Sequence, residues 1–131
     1  MKVVTLSEHL DLESSLVWEI ISDISRTDWV PGVEEIKLEN DTREFFMEGM
    51  GKIKEKIVEC NHEKMILRYS AIESPAKLNH HLASIELEDN QGGCSFKWTT
   101  EIDPEMFASG IEKGMISSFE QLKKILNNQL P

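Results

Sequence analysis

Apolar and polar positions change period three times along this chain. Over residues 2–10 they alternate, with Val4, Leu6 and Leu10 on one side and Thr5, Ser7 and His9 on the other, as in a half-buried strand. From Ser14, which offers an N-cap, Leu16, Val17, Ile20 and Ile21 recur at helical spacing as far as Ser22, with Trp18 on the flank. A second short turn of helix is expected over Ser25–Trp29, stopped by Pro31-Gly32. From Val33 the period returns to two. Ile36 and Leu38 mark one strand, Asn40-Asp41 a turn and Arg43–Met47 the next strand, where the adjacent Phe45 and Phe46 leave the buried face open.

Four further alternating runs follow. In Gly51–Cys60, Ile53, Glu55 and Ile57 share one face and Lys52, Lys54 and Lys56 the other, which reads as an exposed lysine face that discourages edge pairing. In Met65–Glu73 the inward set is Met65, Leu67, Tyr69, Ala71 and Glu73; in Asn79–Glu88 it includes His81, Ala83, Ile85 and Leu87. In Gly93–Ile102 the apolar positions are the even ones: Cys94, Phe96, Trp98 and Ile102. That change of parity across Asp89-Asn90-Gln91-Gly92 is what a two- or four-residue hairpin loop requires. The runs therefore predict one antiparallel meander with a single buried face.

The closing stretch, residues 104–130, returns to the helical period. Phe107, Ile111, Met115, Phe119, Leu122, Ile125 and Leu126 fall within about one third of a helix circumference, with Lys113, Glu120 and Lys124 opposite. Asp103 can cap its start, and Pro104 sits where a missing N–H costs nothing. Gly110 and Gly114 lie at the edge of the apolar arc; each costs a helix about 1 kcal/mol relative to alanine. Close approach of the sheet, or of a ligand, would explain them. The order of elements predicts an α+β domain spanning residues 1–131: a strand, two short helices, six strands and a long helix gripped by a curved sheet.

Composition narrows the function. The chain has 131 residues and a net charge of -10 spread along its length, without a basic cluster to meet phosphates. Nucleic acid and anionic lipid are therefore poor partners. The start, MKVVTLSEHL, lacks an apolar run of signal-peptide length, and nothing approaches transmembrane length, so a cytoplasmic protein without stable membrane insertion is expected, monomeric or homodimeric. Cys60 and Cys94 have no CxxC partner and read as reduced, buried side chains. Adjacent His80 and His81 point to opposite faces of a strand, and His9 and His62 lie on other elements, so no metal site and no cofactor is expected. No GxSxG elbow or phosphate-binding glycine pattern is present.

Val17-Trp18, Ile20, Asp23, Trp29-Val30-Pro31-Gly32-Val33, Gly51-x-Ile-x-Glu55 and Tyr69-x-x-x-Glu73-x-Pro75, together with the closing helix, resemble the SRPBCC/START-like superfamily. Within it the chain is most similar to the polyketide cyclase/dehydrase and lipid-transport group. The resemblance implies a helix-grip fold, a seven-stranded sheet around the last helix with a deep cavity between them, and places Trp29 at the cavity mouth. On that basis the chain is expected to bind a small hydrophobic or amphipathic molecule between sheet and helix.

The polar residues on the buried face are the candidates for orienting that molecule. Glu55, between Ile53 and Ile57, must be paired, hydrogen-bonded or protonated there, and its pKa is expected to be raised. Tyr69 is expected opposite it, with Glu73 and His81 on neighbouring strands. Trp29, Trp98, Met115 and Phe119 supply apolar walls, each also readable as plain core. The alternative is a cyclase/dehydrase-like enzyme in which a carboxylate or the histidine moves a proton.

Overall fold

The structure, a computed structural model, describes residues 1–128. Strand β1 (Lys2–Leu10) leads into helix α1 (Ser14–Ile21), and six strands follow: β2 (Val33–Glu39), β3 (Thr42–Met47), β4 (Gly51–Asn61), β5 (Ile66–Glu73), β6 (His80–Asn90) and β7 (Gly93–Asp103). A 3-10 turn (Glu105–Phe107) then opens helix α2 (Ala108–Asn128). The sheet order is β1-β7-β6-β5-β4-β3-β2. A meander thus runs from β2 to β7, and β1 closes on the free side of β7. This is the seven-stranded helix-grip arrangement that the periodicity and the resemblance implied. The last two residues of the expected helix, 129 and 130, lie outside the described residues.

One element differs from expectation. Between β1 and β2 there is a single helix rather than two, because residues 23–30 form turns: Arg26 N–H donates to Asp23 O and Val30 N–H to Thr27 O. The Asp23 carboxylate takes both the N–H and the hydroxyl of Ser25, offering the backbone a local alternative to a helix. Ser14 is also the first helical residue rather than the cap. Its hydroxyl and N–H both donate to Oδ1 of Asp89, at 2.6 and 3.4 Å, so the end of β6 caps α1 from across the chain.

Alternation decides the faces. Phe45 is buried and Phe46 is 65 % exposed, so β3 turns Phe45 inward. The concave face carries Leu67, Ala83, Ile85 and Phe96, all nearly inaccessible, and α2 lays Met115, Phe119, Leu122 and Leu126 upon it. Phe96 and Phe119 rings meet at 4.9 Å, and the Thr100 hydroxyl donates to Met115 Sδ. Gly110 and Gly114 are exposed, with no protein atom within 4 Å of where a Cβ would stand; neither is there for close packing on the sheet.

Two other glycines are fixed by geometry. Gly51 has φ +97°, and a Cβ there would come within 2.8 Å of Pro75 Cγ, so the β3–β4 and β5–β6 connections touch at this point. At Gly93 a Cβ would meet the carbonyl oxygen of Leu10, where β1 joins β7. Cys60 on β4 and Cys94 on β7 are free thiols, and β5 and β6 lie between their strands; Cys94 is buried as expected, whereas Cys60, near the end of β4, is exposed.

Candidate functional site

The polar centre of the concave face is an ion pair. Arg43 lies directly across from Glu55 in the β3–β4 ladder, and its Nε donates to Glu55 Oε1 at 2.7 Å. The two side chains are 14 % and 10 % exposed. A second guanidinium nitrogen donates to Ile24 O at 3.2 Å, tying β3 to the turns after α1. The guanidinium carbon also stands 4.8 Å from the centre of the Tyr69 ring. The partner of Glu55 is thus Arg43 rather than Tyr69. The β4–β5 hairpin turns over residues 62–65, so Ala71 stands opposite Glu55 and Tyr69 opposite Ile57, with Arg43 filling the space between carboxylate and ring. Arg43 shares its parity with Phe45, but the doubt over which phenylalanine faced inward hid it.

Burial pushes the Glu55 carboxyl above its usual range, against the pull of the Arg43 guanidinium and the hydrogen bond it donates. Tyr69 is raised as well, first by burial and then by the Glu55 carboxylate, with Arg43 opposing. Its phenol stays protonated across the physiological range. The Trp98 indole N–H sits close enough to favour the ionised phenol slightly, yet the geometry falls short of a hydrogen bond, and Nε1 is buried without a partner.

His81 is half-buried on β6, its ring centre 6.2 Å from that of Tyr69. The β5–β6 ladder stops at Tyr69–Ala83, and beyond it the Ala71 N–H donates to His81 Nδ1 at 2.9 Å while Ser70 Oγ donates to His81 O. The side chain therefore stands in for a missing ladder bond. An acceptor Nδ1 means a neutral ring with its proton on Nε2, and burial, with neighbouring His80, lowers the pKa to about 4. Glu73 is not gathered into this group: it is exposed near the end of β5, opposite Lys54 in the ladder.

The aromatic residues do come together. Trp29, on the turns before β2, packs against Trp98 at 5.6 Å, and Trp98 meets Phe96 edge-on at 6.3 Å. With Phe119 and Met115 of α2 they occupy the space between helix and sheet. A surface concavity of about 330 Å³, lined by Val58, Ser70, Leu78, His80 and His81 among others, lies where the β5–β6 ladder ends. Among the described residues no cluster of His, Cys, Asp and Glu has the arrangement of a metal site. None of their helices is long and apolar enough to cross a membrane.

The family described as polyketide cyclase / dehydrase and lipid transport matches residues 1–127. The chain belongs to that family. No curated protein matches significantly. Among solved structures, XoxI from Bacillus cereus is 18 % identical with a TM-score of 0.78, over 95 % of this chain and 98 % of that one. Ara h 8.0201 is 11 % identical with a TM-score of 0.80, over 98 % and 99 %. Norcoclaurine synthase from Thalictrum flavum, in complex with dopamine and hydroxybenzaldehyde, is 16 % identical with a TM-score of 0.77, over 99 % and 88 %. At these identities this member of the polyketide cyclase/dehydrase family shares their fold, while residue roles must come from its own site.

Proposed function

We propose that this protein binds a small amphipathic molecule between the concave face of its sheet and α2. Family and fold support the reading, and the observation that carries it is the buried Arg43–Glu55 pair under Tyr69 on an otherwise apolar face. Such a pair costs several kcal/mol of desolvation and is a weak source of stability. Its value lies in fixing polar groups within an apolar wall, as ligand sites require. Trp29, Trp98, Met115 and Phe119 supply that wall. Trp29 is the side chain that yields, because it stands on turns rather than on a strand or α2. His81 borders the site behind Tyr69.

Binding is preferred over cyclase or dehydrase chemistry because both proton-moving candidates are already engaged. Glu55 holds Arg43, and His81 Nδ1 holds the Ala71 N–H. Cys60, exposed and unpaired, fits a reducing compartment such as the cytoplasm. Native mass spectrometry with the neutral amphiphile N-phenyl-1-naphthylamine tests the reading. One probe per chain is expected, held more tightly by Trp29→Ala, in which the indole no longer competes for the space. No adduct on either protein would contradict it.

A further inference from the structure

One stretch of the wall over the concave face is held more lightly than the rest. Residues 23–31 run from the end of α1, where Ser22 N–H donates to Trp18 O, to Gly32, whose carbonyl accepts from Glu48 N–H. Between these anchors the hydrogen bonds close local turns: Arg26 N–H to Asp23 O, Val30 N–H to Thr27 O, Val33 N–H to Val30 O, and the side-chain bonds Ser25–Asp23 and Arg26–Asp28. Among the described residues a single bond reaches the segment from across the sheet, donated by Arg43 Nη1 on β3 to Ile24 O at 3.2 Å. The rest of its hold is apolar: Trp29 is buried against Trp98, and Ile24 and Val30 are half-buried at the edge of the core. The other cover, α2, keeps Met115, Phe119, Leu122 and Leu126 nearly inaccessible together. Lifting the helix would expose all four, whereas lifting the segment exposes one large buried side chain and two half-buried ones. Since the cost of opening follows the apolar area exposed, the segment opens first.

Resting on the binding reading above, we infer that residues 23–31 form a lid over the space between sheet and α2, and that Arg43 is the positioning residue that latches it. The guanidinium is planar, so the nitrogen that holds Glu55 Oε1 at 2.7 Å and the nitrogen that holds Ile24 O keep a fixed relation to each other. The buried charged pair on β3 and β4 therefore sets where the lid rests. Trp29 rides on the same segment and closes on Trp98 when the latch is made. A lysine in place of Arg43 keeps the charge beside Glu55 but offers one nitrogen where the fork offers two. The latch governs how fast a molecule enters and leaves, whatever its chemistry.

The test compares the full chain with Arg43→Lys, by relaxation dispersion of nitrogen-15-labelled indoles and by stopped-flow mixing with N-phenyl-1-naphthylamine. In both proteins Trp29 and Trp98 should exchange with an open form while Trp18 stays silent. The open population should be about tenfold larger in Arg43→Lys, the effect of losing one hydrogen bond from a charged donor. Association and dissociation of the probe should both quicken by about that same tenfold with Kd nearly unchanged, because the latch is lost from the empty and the filled protein alike. A purely structural Arg43 would instead weaken binding through dissociation alone, or set all three indoles exchanging. Either result, or rates equal to the parent's, overturns the latch while the binding reading stands. Should Arg43→Lys fail to fold, the unaltered protein still decides: no exchange at Trp29 and Trp98 removes the lid. If the probe binds neither protein, the lid and the binding reading fall together.

Discussion

Removing one member of the Arg43–Glu55 pair should damage the protein far more than removing both. The charges sit roughly 4 Å apart, which at an effective dielectric constant of about 20 corresponds to about 4 kcal/mol of attraction. Side-chain exposures of 14 % and 10 % mean that this attraction is only lightly screened and that each charge has lost most of its hydration. Arg43→Met leaves the Glu55 carboxyl enclosed without its cation and also removes the contact to Tyr69 and the bond to Ile24 O. Glu55→Leu strands a guanidinium that cannot give up its proton. Each single variant should lose about 3–5 kcal/mol at neutral pH, whereas Arg43→Met/Glu55→Leu should come within about 1–2 kcal/mol of the parent. Urea denaturation of the four proteins measures the cycle. The Arg43→Met loss should shrink in mild acid, because Glu55 then takes up a proton and no longer needs the cation. Single variants that each lose under about 1 kcal/mol, with no recovery in the double, would mean a solvated pair and refute the reasoning.

The folded-state pKa of His81, about 4, lies below its ordinary 6.5. Its contribution to stability is therefore full above pH 6.5 and lost as pH falls toward 4, by at most about 3 kcal/mol. His81→Asn, whose Oδ1 can accept the Ala71 N–H without titrating, should show a flatter stability profile across that window; parallel profiles would contradict the assignment. Gly110→Ala and Gly114→Ala should each stabilise by about 0.5–1 kcal/mol, since a methyl group there meets nothing, while Gly51→Ala should destabilise by about 1 kcal/mol or more through its positive φ and Pro75. Thermal denaturation separates these signs. Iodoacetamide should label Cys60 in the folded protein and Cys94 only after unfolding; a Cys60–Cys94 disulfide in the native protein would break the strand order.

The strands were legible because each run has one buried face, and alternation alone puts Glu55, Tyr69 and Trp98 on it. Parity does not fix register. The β4–β5 hairpin turns over residues 62–65, which sets Tyr69 opposite Ile57 rather than Glu55, and apolar spacing does not say which residues make the turn. Arg43 was hidden because Phe45 and Phe46 are equally apolar, and only packing against Ile53 and Val33 chooses between them. The missing second helix turned on the Asp23 side chain, which competes for a backbone N–H that the helical pattern had assigned elsewhere. Glu73 kept the right parity, but it stands near the end of β5, beyond the last Tyr69–Ala83 pairing with β6, where inward alternation no longer means burial.

Three tryptophans make the central claim directly measurable. Trp29 and Trp98 pack against each other beneath α2, their rings tilted by 56°, whereas the Trp18 indole is held outside that space by a hydrogen bond to His62 Nδ1 at 3.1 Å. Indole N–H cross-peaks of the nitrogen-15-labelled protein, followed during titration with N-phenyl-1-naphthylamine, report on both places at once. Binding between sheet and helix predicts that the Trp29 and Trp98 peaks move together and saturate at one probe per chain while Trp18 stays in place. A titration that moves Trp18 alone, or none of the three, would contradict the account.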